Sequence, residues 1–460
     1  MQLKKPAGSL RLGLMAASCA LLASTGARAA DAPDATDEAG PWQVDIGLLA
    51  YKENEGRVHT LEPVVALKRD YGDEHILGLN FAYDSLAGGS PNGAIAAKPP
   101  RVQTFATPSG TSLTPGSTAP QTYVSPSGNV YTTLAKITLY TVQPGALPLD
   151  PNFHDRRIGF DASWSQPFGT ASHVSFGGHL SNELDFTSIG ANGAISHDFN
   201  EKNTSVSFGM NAESDRINPI GGTPIGGSDY ALLLKTGNQS KHVIGGLAGV
   251  TQVMSRRWVA QLNYSYDRSQ GYLTDPYKIL SIVDSTGNLM TVSSTAAGSP
   301  YRFENRPDRR TRQSVYIGNK IAIADEVLDL SVRRGKDDWG ITSTTIDGRM
   351  HFDLGNDWFV EPHARWYKQG KADFYHLYLN EADVLPTYMS ADPRLAAFKA
   401  TTIGFKVGVS LGDNQEMSLR IEQYQQKAAD RYSSLVNLQG LDLNPQLKAS
   451  IVQLGWKMEW

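Results

Sequence analysis

The final stretch of the chain places the tightest limit on its fold. Apolar residues recur at every second position, and polar or small residues lie between them; the apolar positions are Val452, Leu454, Trp456, Met458 and Trp460. A period of two predicts a β-strand with one apolar face, and a terminal aromatic is typical of a transmembrane barrel strand between lipid and water. We therefore expect Trp456, Met458 and Trp460 to be the assembly signal that the barrel-assembly machinery reads. The alternative is an edge strand of a soluble sandwich.

The start of the chain has the features of an export signal. Basic residues precede a short apolar run, 12–22, and small residues occupy positions 27 and 29, where a signal peptidase reads. The run is shorter than the roughly 20 residues that a spanning helix needs, and no later segment approaches that length. We predict a cleaved signal peptide at 1–29, a periplasmic leader at 30–41 and an outer-membrane barrel at 42–460. Cys19, the only cysteine, lies in the signal, so no disulfide is expected.

The charge balance excludes nucleic acid as a natural partner. Four of the 42 basic residues and none of the 46 acidic residues fall in 1–29, so removal of this segment changes the net charge from −4 to −8. The mean hydropathy of −0.32 is compatible with a membrane location, because only alternate residues of a barrel strand face lipid.

Alternating segments recur along the whole chain. They predict an all-β fold, a transmembrane antiparallel up-and-down β-barrel of about sixteen strands. The segments are 42–52, 57–69, 75–86, 153–167, 172–186, 189–199, 203–214, 242–254, 257–270, 311–324, 326–335, 339–354, 357–369, 400–411, 415–427 and 447–460. Short polar turns join them at one end and long connections at the other, as expected for periplasmic turns and extracellular loops.

The two faces of these strands can be assigned from the alternation. In 357–369, Trp358, Val360 and Ala364 share one face, while charged residues share the other with Phe359. The apolar face should meet lipid and the charged face the lumen. The candidate lumen residues are Arg157, Asp161, His179, Glu183, Glu361, His363, Arg365, Arg420 and Glu422.

An arginine-rich segment, 302–312, lies where the long connection 271–310 re-enters the wall. Charged rings at a pore mouth set the selectivity of channels. The candidate pore-mouth residues are Arg306, Asp308, Arg309, Arg310 and Arg312. The alternative is a solvated, self-paired rim that anchors the loop to lipopolysaccharide. The loop 87–152 is long enough to enter the lumen, where it would constrict or cap the pore.

No sequence motif predicts catalysis or a cofactor. The Gly-x-Ser-x-Gly string at 408–412 runs from an alternating strand into a polar turn, whereas a hydrolase elbow needs a strand, a strained turn and a helix. No zinc-protease motif, phosphate loop or dinucleotide fingerprint occurs. His173 and His179 are about 20 Å apart on an extended strand, so one metal cannot bind both. No catalytic residue, metal or cofactor is predicted, and a lumenal hydrolase remains a third hypothesis.

Several short motifs along the mature chain together resemble one bacterial family. They are Glu62-Pro63-Val64-Val65, Asp84-Ser85-Leu86, Ser90-Pro91-Asn92-Gly93-Ala94, Leu147-Pro148-Leu149-Asp150, Ser188-Ile189-Gly190-Ala191-Asn192, Phe199-Asn200-Glu201-Lys202-Asn203-Thr204, Ile217-Asn218-Pro219-Ile220-Gly221-Gly222 and Asn305-Arg306-Pro307-Asp308. The set is similar to the domain-of-unknown-function family 3570. The resemblance implies an exported outer-membrane barrel of Gram-negative bacteria, beside flavin-transferring and thioredoxin-like or lipoprotein partners. It assigns no catalytic residue.

Two functional hypotheses remain besides the hydrolase. The first is a porin-like channel for small polar solutes, since a barrel of about sixteen strands encloses an aqueous lumen. The second is a non-conducting outer-membrane scaffold for a redox or flavin-bearing envelope partner. In both cases outer-membrane lipid and lipopolysaccharide would surround the barrel.

Overall fold

A computed structural model shows one closed sheet of sixteen strands that forms a barrel. The structure describes residues 39–89, 91–106, 117–124, 130–137, 139–151, 153–219, 221–232, 234–290 and 299–460. The predicted signal peptide, 1–29, and the first nine residues of the predicted leader lie outside these ranges.

All sixteen predicted strands are present in the wall, which confirms the predicted fold class. They are β1 (Trp42–Glu53), β2 (His59–Asp70), β3 (Ile76–Ala87), β4 (His154–Pro167), β5 (Ser172–Asn182), β6 (Phe186–Phe199), β7 (Thr204–Ile217), β8 (Gln239–Ser255), β9 (Trp258–Gly271), β10 (Arg309–Ile323), β11 (Glu326–Asp337), β12 (Thr342–Gly355), β13 (Trp358–Gln369), β14 (Phe398–Ser410), β15 (Gln415–Ala428) and β16 (Leu447–Glu459).

The barrel closes between its first and last strands. Each strand pairs antiparallel with the next along the chain, and β1 pairs with β16 so that Ile46 lies opposite Trp456. The Trp42 amide donates to the Trp460 carbonyl at 2.7 Å, and the Trp460 amide donates to the Trp42 carbonyl at 2.8 Å. The wall therefore has no free sheet edge, which is the condition for a β-sheet in lipid.

The outer and inner faces of the wall differ in polarity. Large apolar side chains are exposed on the outside; Phe176 and Ile403, for example, are 57% and 67% exposed. The residues that alternate with them point inward and are mainly small, polar or charged. Exposed apolar side chains would be unfavourable in water, so this surface is suited to lipid.

The two ends of the barrel differ in the length of their connections. The short turns at one end are 71–75, 168–171, 200–203, 256–257, 324–325, 356–357 and 411–414. The other end carries the long connections 88–153, 218–238, 272–308, 370–397 and 429–446 and three short ones. No helix among the described residues is long and apolar enough to cross a membrane.

All five long connections pack into one structure at the long-loop end, which we call the loop cap: the described residues of 88–153, 218–238, 272–308, 370–397 and 429–446. Its largest apolar cluster joins Ile95, Phe105, Ile279, Tyr301 and Leu438, all of them buried. Short strands outside the wall contribute, among them Ile279–Val283, Tyr301–Phe303 and Leu379–Asn380. These connections are therefore packed elements with a hydrophobic core.

Gly93 shows how closely the cap segments approach. Its φ of +99° is in the region that favours glycine. A Cβ at this position would lie 2.2 Å from the Ile279 carbonyl oxygen. The preceding Asn92 side chain accepts from the Ala94 amide at 2.9 Å, and the Asn92 carbonyl accepts from the Ile279 amide at 2.8 Å. Residues 92–94 thus join two loops of the cap.

Two predicted strand boundaries were wrong at tight turns. The segment predicted as 172–186 ends at Asn182, and the Glu183 amide donates to the Phe186 carbonyl at 2.7 Å. The turn contains neither glycine nor proline, and apolar alternation continues through Leu184. Similarly, the strand predicted as 339–354 begins at Thr342 because the Asp337 carboxylate accepts from the Ile341 amide at 2.8 Å.

Trp339 begins the predicted strand 339–354, but it lies in the turn before β12. Its side chain is only 4% exposed and packs edge-on against Phe374 in the loop cap. The Asp337 carboxylate also accepts from the Trp339 amide at 3.1 Å, which folds the turn inward.

Candidate functional site

A cavity of about 820 Å³ lies inside the long-loop half of the barrel, beneath the loop cap. Its wall is formed by inward side chains of the barrel, and its ceiling by cap segments 272–276 and 394–395 with Arg306. Ligand sites for small molecules typically have volumes of roughly 300–1,000 Å³. The cavity is therefore the best-defined candidate site among the described residues.

Arginines dominate one side of this cavity. Arg310 and Arg312 on β10, Arg333 on β11 and Arg365 on β13 all line it. Arg310 donates two hydrogen bonds to Asp337 Oδ2, at 2.8 and 2.5 Å, and its guanidinium lies 4.4 Å from the centre of the Trp339 indole. Its charge is therefore largely compensated.

The other three arginines are less completely paired. Within the described residues, Arg312 Nε is buried without a hydrogen bond, although Asp267 lies opposite Arg312 in the register. The Arg333 guanidinium lies 5.3 Å from the centre of the Tyr316 ring. Arg365 Nε is 3.9 Å from Asp347 Oδ2, at the limit of an ion pair. This side of the cavity therefore presents incompletely compensated positive charge.

The ceiling is held together by a buried ionic network, which we call the cap network. Arg306 Nη2 donates to Glu304 Oε2 at 3.0 Å and to Asp392 Oδ2 at 2.7 Å. Arg394 Nη2 donates to Asp275 Oδ2 at 2.7 Å, and Arg394 Nε donates to Asp392 Oδ1 at 2.9 Å. The network links loop 272–308 to loop 370–397, and backbone bonds between 305 and 389 run beside it.

Burial raises the pKa values of the carboxyl groups in the cap network, whereas the neighbouring cationic side chains lower them. Burial raises the pKa of Glu304 to about 6, and the Asp275 and Asp392 carboxylates add to this, while Arg306 opposes it. Burial would also raise the pKa of Asp392, but Arg394, Lys278 and Arg306 hold it well below its usual range. The cap network therefore contains one acid that titrates near neutrality.

The predicted lumen residues of β13 and β15 form a second network, deeper in the barrel. His363 Nδ1 lies 2.8 Å from Glu422 Oε1, and His363 Nε2 lies 3.0 Å from Asp347 Oδ2. Arg420 donates to Glu361 at 2.8 Å and to Glu422 at 3.1 Å. A ring with a carboxylate at each nitrogen is best satisfied as an imidazolium, which has no lone pair for general-base catalysis.

The lumen residues predicted on β4 and β5 lie on another part of the wall. Arg157 pairs with Asp84 at 2.6 Å and with Glu62 at 3.2 Å. Asp161 accepts from Asn80 at 3.4 Å and lies opposite His179, whose Nε2 is 3.2 Å from Ser188 Oγ. No hydrogen bond joins Asp161 to His179 among the described residues, so this group lacks the geometry of a hydrolase triad.

Glu183 is among the residues that line the cavity, whereas the two pore-mouth residues Asp308 and Arg309 lie away from it. Glu183 lies in the turn between β5 and β6, where its carboxylate is within 4.8 Å of those of Asp155 and Asp185. Arg309 is exposed and has the same parity on β10 as the exposed Val315 and Ile317, so it belongs to the outer face. Asp308 is exposed in the loop before β10.

Arg306 also differs from the expectation of an open, charged mouth. Its side chain is 9% exposed and is paired with Glu304 and Asp392. The self-paired alternative describes this residue better, because its charge is compensated inside the cap. The structure thus brings Arg310 and Arg312 into the cavity beside Arg365 and separates them from Arg309.

The predicted assembly residues lie at the short-turn end. The Trp456 indole donates to Gln415 Oε1 at 3.3 Å, and the Trp460 side chain is 86% exposed. Their role in assembly stays a prediction.

Several site residues were absent from the prediction. Arg333 follows the same alternation as the predicted residues, and its inward parity within 326–335 was readable from the sequence. The loop residues Asp275, Glu304, Asp392 and Arg394 gave no periodic signal, because their positions depend on how two loops pack.

A closed sixteen-stranded barrel with a polar lumen and an apolar outer face defines a β-barrel membrane protein. The chain belongs to the family described as "Protein of unknown function (DUF3570)", whose profile matches residues 12–458. This match confirms the resemblance seen in the motifs. No curated protein matches the chain.

Solved structures similar to this chain include other barrels. The "CymD monoaromatic hydrocarbon channel" is 8% identical, with a TM-score of 0.37, and the match covers 92% of this chain and 89% of CymD. The outer membrane protein opdK from Pseudomonas aeruginosa is 8% identical, with a TM-score of 0.38 and coverage of 92% and 100%. A "Bacterial polysaccharide outer membrane secretin" is 8% identical, with a TM-score of 0.41 and coverage of 92% and 99%. These likenesses say nothing about a solute.

Proposed function

We propose that this protein is a porin-like outer-membrane channel of a Gram-negative bacterium that passes small polar solutes. The observation that carries the proposal is the charged cavity inside the barrel, between the wall and the loop cap. A sixteen-stranded barrel is wide enough for an aqueous lumen. Inward charged groups are expected along the path of a polar solute.

The loop cap gives this channel a specific form. Its buried network joins two loops over the cavity, so passage depends on the arrangement of the cap. Lumenal charges then act on a solute that has passed the cap.

The test is single-channel recording of the purified protein in planar bilayers. We expect discrete conductance steps from protein that shows heat-modifiable mobility, and none from protein that has been boiled. Folded protein that gives no steps under any applied voltage would contradict the channel.

The second candidate is the non-conducting scaffold for an envelope partner, redox or flavin-bearing or a lipoprotein. The observation that favours it is the apolar core of the loop cap, which is packed like a domain. A scaffold predicts that the folded protein does not conduct and that a partner co-purifies with it after mild crosslinking in cells. A channel predicts conductance from the protein alone.

A further inference from the structure

The cavity beneath the cap has two chemically different sides. Positive charge is concentrated on the side formed by β10, β11 and β13, whereas the apolar side chains Phe186, Phe398 and Ile451 from β6, β14 and β16 line the cavity elsewhere. Phe186, Phe398 and Ile451 are half-buried, so each keeps apolar surface that an occupant of the cavity can contact. The cavity thus offers a charged region and an apolar region to one occupant.

The register brings two of the arginines towards the same space. Arg333 on β11 lies opposite Thr345 on β12, and Thr345 lies opposite Tyr367 on β13. Arg365 is two residues before Tyr367 and therefore points to the same face of β13. Strands about 4.8 Å apart with a rise of about 3.4 Å per residue place the two Cα atoms roughly 12 Å apart. Two extended arginine side chains can reach one small ligand across that distance.

The nearby carboxylates leave these two guanidinium groups able to donate further hydrogen bonds. Asp347 is the acid nearest to Arg365, at 3.9 Å, and the same Oδ2 lies 3.0 Å from His363 Nε2. Arg333 rests on Tyr316 and has no ion pair among the described residues. Arginine binds carboxylates well because its planar fork can donate two parallel hydrogen bonds.

From these observations we infer that the cavity is a binding site for a small amphipathic organic acid. Its carboxylate is held by Arg333 and Arg365, and its apolar body contacts Phe186, Phe398 and Ile451. The inference deepens the proposed function, because it names the class of solute that the channel selects. A volume of about 820 Å³ accommodates such a molecule together with water.

Hydrated inorganic anions are a poorer match for this lining. They satisfy the arginines but leave the apolar side in contact with water, whereas a phenyl or alkyl body removes that surface from water. A neutral amide of the same shape keeps the apolar contact and loses the charge-assisted hydrogen bonds. Each loss should weaken binding about tenfold or more.

The experiment is isothermal titration of the folded protein in detergent. Phenylacetate is the probe, phenylacetamide is its neutral counterpart, and acetate is the anion without an apolar body. We expect phenylacetate to bind at least tenfold more tightly than either. Equal binding of phenylacetate and phenylacetamide would overturn the inference.

Variants assign the effect to the two arginines. R333Q/R365Q should weaken phenylacetate binding at least tenfold, whereas R333K/R365K, which keeps the charge, should lose less. The matched control is R309Q/R334Q: both side chains are exposed on the outer face, and Arg334 donates only to Thr344 Oγ1 at 3.1 Å. The control should bind like the wild type. Unchanged binding by R333Q/R365Q, or equal losses in R333Q/R365Q and R309Q/R334Q, would overturn the assignment.

Folding and function are separated from binding by two checks. Each variant is scored for heat-modifiable mobility, and if R333Q/R365Q does not fold, R333K/R365K and the wild-type comparison of acid with amide decide the result. Selective binding without conductance would reject the channel and keep the site. Conductance without preference for phenylacetate over phenylacetamide in titration would reject the site and keep the channel.

Discussion

At the scale of single residues, the direction of a side chain decides what its charge can do. Arg309 and Arg310 are neighbours in sequence, yet Arg310 lines the cavity and Arg309 is exposed on the outside. In a strand, successive side chains point to opposite faces. A cluster of arginines within one strand therefore cannot all face the lumen, and only alternate members count towards the potential inside.

The surroundings of Glu304 predict how the stability of the loop cap depends on pH. Tyr272, Asp275, Lys278 and Arg306 face it from its own loop, and Asp392 faces it from loop 370–397. Burial raises its folded pKa to about 6 from an ordinary value of 4.5. Between pH 4.5 and pH 6, Glu304 is therefore protonated in the folded cap and ionised in the unfolded cap. The free energy of unfolding of the cap should rise as the pH falls from 7 through 6 towards 4.5.

The gain should be of order 1–2 kcal/mol, at about 1.4 kcal/mol per pKa unit. Asp392 does not oppose it in this window, because its folded pKa lies below its ordinary 3.8 and its contribution is lost only at lower pH. The measurement is hydrogen exchange of peptides that cover 302–308 and 389–395, corrected for intrinsic rates, at pH 7 and pH 5. E304Q is the control and should show no such gain. The same gain in E304Q would assign the effect to another group.

At the scale of secondary structure, the sequence predicted the wall well and the cap hardly at all. Alternation over ten or more residues is a strong local signal, and every wall strand was found from it. The errors fell at turns such as 183–185 and 338–341. At 183–185 a backbone hydrogen bond reverses the chain, and the turn contains neither glycine nor proline. At 338–341 the reversal depends on a hydrogen bond to a side chain.

The cap has a different origin. Its core joins residues far apart in sequence, such as Phe105 with Tyr301, whose ring centres are 5.2 Å apart. The motif at 90–94 contributes to the family resemblance, but its glycine is explained by the close approach of the Ile279 carbonyl oxygen. Contacts of this kind have no periodic signal, so the site could be predicted only where it is built from strands.

The assignment of the two faces of β13 gives a prediction at the scale of the strand. Ala364 is exposed on the outer face between Gly348 and Ile403, whereas Arg365 faces the lumen. A364R places a charge in lipid near the middle of the strand and should cost about 2–4 kcal/mol. R365A removes only a long contact to Asp347 and should cost less than about 1 kcal/mol.

The measurement is urea unfolding of the two variants in lipid vesicles, followed by tryptophan fluorescence. A364S is the control for the outer position, since it introduces no charge. Equal destabilisation by A364R and R365A would contradict the assignment of the two faces.

At the scale of the whole molecule, the cap and the wall divide the arginines into two functional groups. Arg306 and Arg394 are compensated by carboxylates within the cap, so their substitution should alter the cap rather than the field in the lumen. Arg312, Arg333 and Arg365 are less completely compensated and line the cavity. The selectivity of the channel should follow this second group.

The last prediction uses that division to test the channel as a whole. In planar bilayers under a KCl gradient, wild-type protein should prefer anions, and R312Q/R333Q/R365Q should shift the reversal potential towards cation preference because the lumen loses three positive charges. The shift should be large near 0.1 M salt, where the screening length is about 10 Å, and small near 1 M, where it is about 3 Å. R309Q/R334Q should leave the reversal potential unchanged, since both charges lie on the outer face. A shift of the same size in this control, or none in the triple variant, would mean that the cavity arginines do not lie along the path of the ions.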